Sequence, residues 1–361
     1  MFSHSFEGKR VWLSGHTGFK GSWLAEWLLG MGAEVYGYAL APDTSPSLFE
    51  ELNLADRLHH QVADIRNAVA VRQSIAQCHP DFVFHLAAQP LVRRSYDQPV
   101  ETYETNVMGT IHVLETLRTL NRPCTALLIT TDKCYENREH GLPYKEGDHL
   151  GGRDPYSSSK AMAEIAIAAY RQSYFQSATS PVRIASARAG NVIGGGDWAD
   201  DRIVPDSIRA LQKGAPIAVR NPFATRPWQH VLEPLSGYLW LAATLAKDAA
   251  APSSLNLGPI PDCNRSVKEL VSEILKHWPG EWTDGSDPNA VHEAKLLSLC
   301  IDKAKESLAW MPVWDFEKTI EHTVDWYRTC HQDASSHLAL TRRQIDLYCL
   351  DAKNAGQAWA L

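Results

Sequence analysis

Glycines at 15, 18 and 21, set between the strand-like run Arg10–Leu13 and the helix-period run Ser22–Met31, constrain the fold of this chain more than any other feature. A dinucleotide-binding turn needs three glycines in that setting. One makes the tight turn, one lets the backbone approach a pyrophosphate, and one lets the helix pack on the strand. The helix N-terminus then supplies amide donors and the positive end of its dipole to the phosphates. Gly15, Thr17, Gly18, Phe19, Lys20 and Gly21 are therefore the expected phosphate cradle, with Lys20 able to reach either the pyrophosphate or a ribose 2′-phosphate. The second strand ends Tyr36-Gly37-Tyr38-Ala39, and the first acid after it is Asp43. A carboxylate accepting from the ribose 2′-OH is thus not plainly placed, and the residues lean to NAD over NADP without deciding it. Asp64-Ile65 reads either as an adenine contact or as the N-cap of a helix.

The rest of the first half agrees with that turn. Strand-like runs at 34–39, 82–86, 126–130 and 182–187 alternate with helical runs at 68–78, 100–120 and 157–175. Such alternation implies βαβ units and a parallel sheet covered on both faces. After Arg188 the chain becomes irregular, with Pro/Trp-rich residues 221–236 and a Pro/Gly/Asp stretch at 277–290. The expected architecture is α/β: a Rossmann-like doubly wound parallel sheet with a smaller α/β substrate-binding region. Residues 1–187, with returning segments about 226–257 and 307–328, would hold the cofactor; 188–225 and 258–306 would hold the substrate. A further helix is expected over 336–355. Trp23 and Trp27 fall on the first helix and read as core, whereas Trp198, Trp228, Trp310 and Trp314 fall on the substrate side.

Composition narrows the function classes. A net charge of −7 leaves no global field for nucleic acid or anionic membrane, so an anionic substrate must be met by local cations. No apolar run approaches the 18 or more residues of a spanning helix, and the N-terminus shows no signal-peptide pattern. Seven cysteines without a C-x-x-C pair argue against a disulfide framework and fit a reducing, cytoplasmic setting. There is no G-x-S-x-G elbow, H-E-x-x-H pair or phosphate loop ending G-K-[ST], and no metal site is expected.

Tyr156 and Lys160 stand four residues apart, one turn on the same helix face. A phenol of ordinary pKa near 10 is too weak a base at neutral pH. A lysine ammonium and a positive nicotinamide beside it both favour the phenolate. Such a tyrosine takes a hydroxyl proton while hydride leaves the same carbon. Upstream, the strand 126–130 ends in Thr131-Asp132-Lys133, where an open α/β sheet binds ligands. Thr131 can bond a substrate hydroxyl and Asp132 can act as general acid. Lys133 can act as general base if its pKa falls by about three units, a differential interaction of about 4 kcal/mol.

With these motifs in place, the chain resembles the extended short-chain dehydrogenase/reductase family, and within it the CDP-glucose 4,6-dehydratases. The resemblance is carried by GHTGFKGSWL (15–24), FHLAAQPLVRRSY (84–96), TNVMGT (105–110), TTDKCYEN (130–137), GGRDPYSSSK (151–160), ARAGNVIGGGDWADDRIVPD (187–206) and NPFATRPWQHVLEPLSGYL (221–239). It runs from about residue 8 to about residue 328. It implies bound NAD, a CDP-glucose substrate and a 4-keto-6-deoxy product. Tyr156 would take the 4-OH proton, Lys133 the C5 proton, and Asp132 would protonate the departing 6-OH. Relatives usually carry Glu where this chain has Lys133. The resemblance also implies cofactor contacts from Leu86, Ala87, Ala88, Gln89, Asn106 and Thr130, beside Tyr156 and Lys160. Substrate contacts are implied at Thr131, Asn191, Arg202 and Arg226, with Arg220 and His292 as weaker candidates; Arg220 reads better as an exposed solvated charge. The helices at 100–120 and 157–175 typically pair across a dimer axis in this family, so a homodimer is expected, with a tetramer open. A 4-epimerase, another sugar-nucleotide dehydratase and a non-catalytic dinucleotide sensor are the rival readings. Asp132-Lys133 disfavours the epimerase, and the Tyr156/Lys160 pair disfavours the sensor.

Overall fold

Residues 1–138, 141–177, 179–286 and 297–361 are described by a computed structural model. Seven strands form its central sheet: β1 (Arg10–Ser14), β2 (Glu34–Ala39), β3 (His59–Val62), β4 (Phe82–His85), β5 (Cys124–Thr131), β6 (Val182–Ala189) and β7 (Ser254–Leu257). They lie in the order β7-β6-β5-β4-β1-β2-β3, and every ladder is parallel. β4 and β5 are buried at every residue, because helices cover both faces. The connections run one way from β1 and the other way from β4. A crevice is left at the carboxyl ends of these two strands, the usual ligand position of a doubly wound sheet. The expected sheet is present, with two strands that the periodicity did not reveal. β3 reads His-His-Gln-Val and is mostly exposed at the sheet edge, so it has no apolar run. β7 is a four-residue strand that returns from the irregular half to pair with β6.

The main helices are α1 (Phe19–Gly30), α2 (Ala68–Cys78), α3 (Gly109–Arg118), α4 (Pro155–Tyr170), α5 (Leu232–Lys247), α6 (Phe316–Gln332) and α7 (His337–Asn354). α1 starts three residues before its apolar period, since Gly18 is extended (φ −81°, ψ 167°) and Phe19 already has helical backbone. α4 starts where its capping chemistry dictates. Asp154 accepts from the Ser157 amide at 2.8 Å and Pro155 occupies the first position, which puts Tyr156 in the first turn. The run expected at 100–120 is interrupted: Pro99–Tyr103 passes through a π-turn, Glu104–Met108, before α3. A second π-turn, Arg171–Phe175, follows α4.

Apart from β7, the short strands of the irregular half pair with one another among the described residues. Val192–Ile193 joins Gln229–His230, Thr225–Pro227 joins Asn264–Ser266, and Ile217–Val219 joins Trp282–Asp284. The expected C-terminal helix is α7, docked on α1. Buried Glu26 of α1 accepts from both Arg57 guanidinium nitrogens at 2.6 and 3.0 Å and from Arg342 of α7 at 2.7 Å. Phe2, Trp27, Tyr348 and Trp359 pack their rings in the same place. Trp23 and Trp27 are core, as expected. Trp310 and Trp314 are not on the substrate side: both are buried, their indoles donating to Ser236 and Asp351. Proximity in sequence to substrate-side segments misplaced them.

Candidate active site

A cavity of about 1710 Å³ opens above the carboxyl ends of β1, β4, β5 and β6. Its cofactor end is shaped by the glycine turn. Gly15 has φ +77°, and a Cβ there would lie 2.7 Å from the Ala87 amide nitrogen. A Cβ on Gly21 would lie 2.0 Å from the Gly15 carbonyl, so helix and turn meet only without a side chain. At Gly18 a Cβ would meet nothing closer than 3.5 Å, which is the open backbone approach that a pyrophosphate requires. Each glycine thus does what a dinucleotide cradle asks of it. Gly15, Thr17, Gly18, Phe19, Lys20, Gly21, Asp64, Ile65, Leu86, Ala87, Ala88, Gln89 and Thr130 all line the cavity. The Ser14 hydroxyl sets the facing wall by accepting from the Leu86 and Ala87 amides and bonding His85. Asp64 does not cap α2, because Asn67 does; its carboxylate instead holds Arg66 and its carbonyl accepts from Tyr38.

One expected cofactor contact falls differently. Asn106 is buried in the π-turn and is not among the cavity-lining residues. Its amide accepts from the Gln89 backbone at 2.8 Å and donates to the Gln89 carbonyl and to Ser159 at 2.9 Å. The asparagine fixes the cofactor turn to α4 rather than facing the cavity, and the wider π-turn is what lets it reach both. Lys20 lines the cavity. Its amine turns inward, 3.5 Å from the Tyr238 hydroxyl and 5.9 Å from that ring. Burial, then Arg202, push its pKa down to about 7.

The reacting groups converge below. Thr131 ends β5 and its hydroxyl donates to Asp132 Oδ1 at 2.8 Å. Lys133 Nζ lies 3.5 Å from the same oxygen, its side chain partly exposed at 28%. Asp132 itself is buried, and its Oδ2 has no hydrogen-bond partner among the described residues. That oxygen faces Gly190, where a Cβ would come within 3.2 Å of it. A buried carboxylate oxygen left unbonded is costly unless a ligand donates to it. Tyr156 and Lys160 are both buried on α4 and both line the cavity. Burial pushes Lys160 down to about 8. Burial likewise raises Tyr156, to about 12, and the groups acting to lower it are the Thr131 hydroxyl and Arg202. Lys160 is thus not among the groups that lower the phenol, and the same burial lowers its own pKa.

At the outer end, Asn191, Arg202, Arg220 and Arg226 line the cavity, and His292 lies outside the described residues. Arg202 pairs with Asp197 at 2.8 Å and Arg220 with Asp201 and Asp206. Arg220 is therefore an exposed charge, as expected, that also lines the cavity and is ion-paired there. Of the tryptophans, Trp198 and Trp228 line the cavity. Sequence reasoning missed Arg93, Glu136 and Arg153, which also line it. Arg93 sat inside a quoted segment, but nothing in its spacing marked it. It missed as well the buried chain Thr130–Glu164–Arg188–Tyr135–Asn256 that supports β5 and α4 from behind.

Comparison with known proteins agrees with this geometry. The family model described as GDP-mannose 4,6 dehydratase matches residues 13–323. A CDP-glucose 4,6-dehydratase from Salmonella typhimurium is 46% identical over 350 residues, covering 95% of this chain and 97% of that protein. A dTDP-glucose 4,6-dehydratase from Shigella flexneri is 28% identical and covers 76% of this chain and 79% of its own length. Among solved structures, an epimerase from Methanothermobacter thermautotrophicus superimposes with a TM-score of 0.77 at 22% identity, covering 92% of this chain and 96% of the other. The dTDP-glucose 4,6-dehydratase of Bacillus anthracis in complex with NAD gives 0.73 at 19% identity, covering 88% and 96%. These two share the fold. The extent of the family match and the identity to the Salmonella protein show that this chain belongs to the GDP-mannose 4,6 dehydratase family of extended short-chain dehydrogenases.

Proposed function

We propose that the chain is a CDP-glucose 4,6-dehydratase that holds NAD and converts CDP-D-glucose to CDP-4-keto-6-deoxy-D-glucose and water. The observation that carries the proposal is Asp132-Lys133 at the end of β5, facing the same cavity as Tyr156 and Lys160. Gly15, Gly18, Gly21 and residues 86–89 would hold NAD, which would supply a hydride acceptor and donor for sugar C4 and C6. Tyr156 accepts the 4-OH proton, beside the Thr131 hydroxyl and Lys160 in the same cavity. The 4-ketone acidifies the C5 hydrogen, which Lys133 removes and later returns. Asp132, carrying a proton on Oδ2 at this step, gives it to the 6-hydroxyl as it leaves, Oδ2 having no other partner among the described residues. The proton taken at Tyr156 balances the proton given to water.

The division into a cofactor part at 1–187 and a substrate part at 188–225 and 258–306 belongs to the same reading. So does a homodimer. Its support is apolar surface on the helices around 100–120 and 157–175: Val100, Met108, Met162, Ile165 and Tyr174 are 44–68% exposed. All seven cysteines are free, and among the described residues no helix is long and apolar enough to cross a membrane; both support a cytoplasmic enzyme.

The test is a rate comparison of CDP-, dTDP-, UDP- and GDP-glucose with NAD⁺, following the base-induced absorbance of the 4-keto sugar. CDP-glucose should react fastest. Faster reaction of another nucleotide-glucose would reassign the substrate, and no reaction with any would favour a dinucleotide sensor.

A further inference from the structure

At the cavity mouth one carboxylate sits between two guanidinium groups that come from opposite walls. Asp201 Oδ1 accepts from Arg220 Nη1 and lies 3.4 Å from Arg93 Nη1. Arg93 belongs to the short helix Val92–Asp97 that follows the cofactor turn, and Arg220 follows the strand Ile217–Val219 of the irregular half. Asp201 reaches them from a left-handed backbone, φ +62°, which a non-glycine residue adopts at a cost. All three line the cavity, and their side chains are 41–46% exposed. Exposed ion pairs of this kind are individually weak, and the strained backbone lowers their net gain further. A diphosphate offers more: two charges and several oxygens suited to guanidinium forks.

We infer that Arg93 is a substrate-diphosphate ligand acting with Arg220, and that Asp201 occupies the phosphate position until the substrate displaces it. Arg220 keeps a second partner, Asp206 at 3.3 Å, so it stays oriented when Asp201 leaves. The inference rests on the reading of a nucleoside-diphosphate sugar as substrate. It adds a cation that neither the glycine turn nor the reaction centre requires.

Calorimetric titration of the full chain with CDP, and with CMP as the reference lacking the second phosphate, tests it. Arg93→Ala should weaken CDP about tenfold while changing CMP far less. Asp201→Asn keeps a residue tolerant of the left-handed backbone and removes the competing charge; it should tighten CDP about threefold. In the Arg93→Ala background that tightening should shrink. Asp201→Asn that weakens CDP or leaves it unchanged would make Asp201 a structural tie, and an unchanged Arg93→Ala would remove Arg93 as a ligand. Either result overturns the inference alone. A wild-type chain that binds CDP no better than CMP would overturn the substrate reading and this inference with it.

Discussion

The floor and the mouth of the cavity carry the same kinds of charge in opposite arrangements. At the floor, Lys20 and Lys133 lie by one buried carboxylate, Asp132, whose Oδ2 has no partner among the described residues, and Lys160 is influenced by a second, Glu164. At the mouth, Arg93 and Arg220 are matched by Asp201 and Asp206. The floor is built on β5 and α4 and braced by buried hydrogen bonds, so its imbalance is held in place by the fold. The mouth is more exposed, its side chains 33–46% accessible, and its charges satisfy one another until a ligand competes. Chemistry that needs shifted pKa values sits where water is excluded, and recognition of an anion sits where ion pairs exchange cheaply.

If the floor is prearranged, removing its groups should cost far more than changes at the mouth. Tyr156→Phe deletes the proton acceptor and should lower kcat about 10³-fold with little change in CDP-glucose KM, measured as 4-keto sugar formation. Lys133→Ala should lower the overall rate about 10²-fold while leaving the hydride step at C4 visible as transient NADH absorbance. A variant that dehydrates at a near-normal rate would break the assignment of Lys133 as the C5 base. The smallest effect expected is on stability. Burial pushes His16 and His85, beneath the glycine turn and the cofactor loop, down to about 3. Above the ordinary histidine value near 6.5 both states are neutral and nothing is lost. As pH falls below it, the unfolded chain takes up protons that the folded chain refuses. Stability should therefore drop by about 1.4 kcal/mol per pH unit for each histidine, down toward pH 3. Denaturant unfolding between pH 6.5 and 5 should show that slope, and His85→Asn should reduce it by about one proton. A pH-independent midpoint would contradict it.

Much of the floor could be read from the sequence because backbone geometry demands particular residues there. Gly15 and Gly21 are positions where any Cβ collides, and Tyr156 and Lys160 share a helix face by spacing alone. Asp132-Lys133 followed from the end of a strand. What stayed hidden depends on tertiary placement. β3 has no apolar pattern, since it is an exposed edge. The inward turn of Asn106 follows from a π-turn that no periodicity announces, and the inward turn of Lys20 from the position of Tyr238, 218 residues away. Arg93 and Arg220 meet only through Asp201, and no spacing in the chain records that meeting. The raised Tyr156 is similar: the sequence supplied its neighbour Lys160 but not the burial that outweighs it.

The central claim is that one carbon gives up hydride and another, two positions along the sugar, receives it within the same cavity. CDP-glucose labelled with deuterium at C4 tests that directly. Incubated with the enzyme and NAD⁺ in ordinary water, it should yield 4-keto-6-deoxy product with deuterium at C6, seen by mass spectrometry and NMR. Product lacking deuterium at C6, or label lost to solvent, would contradict it.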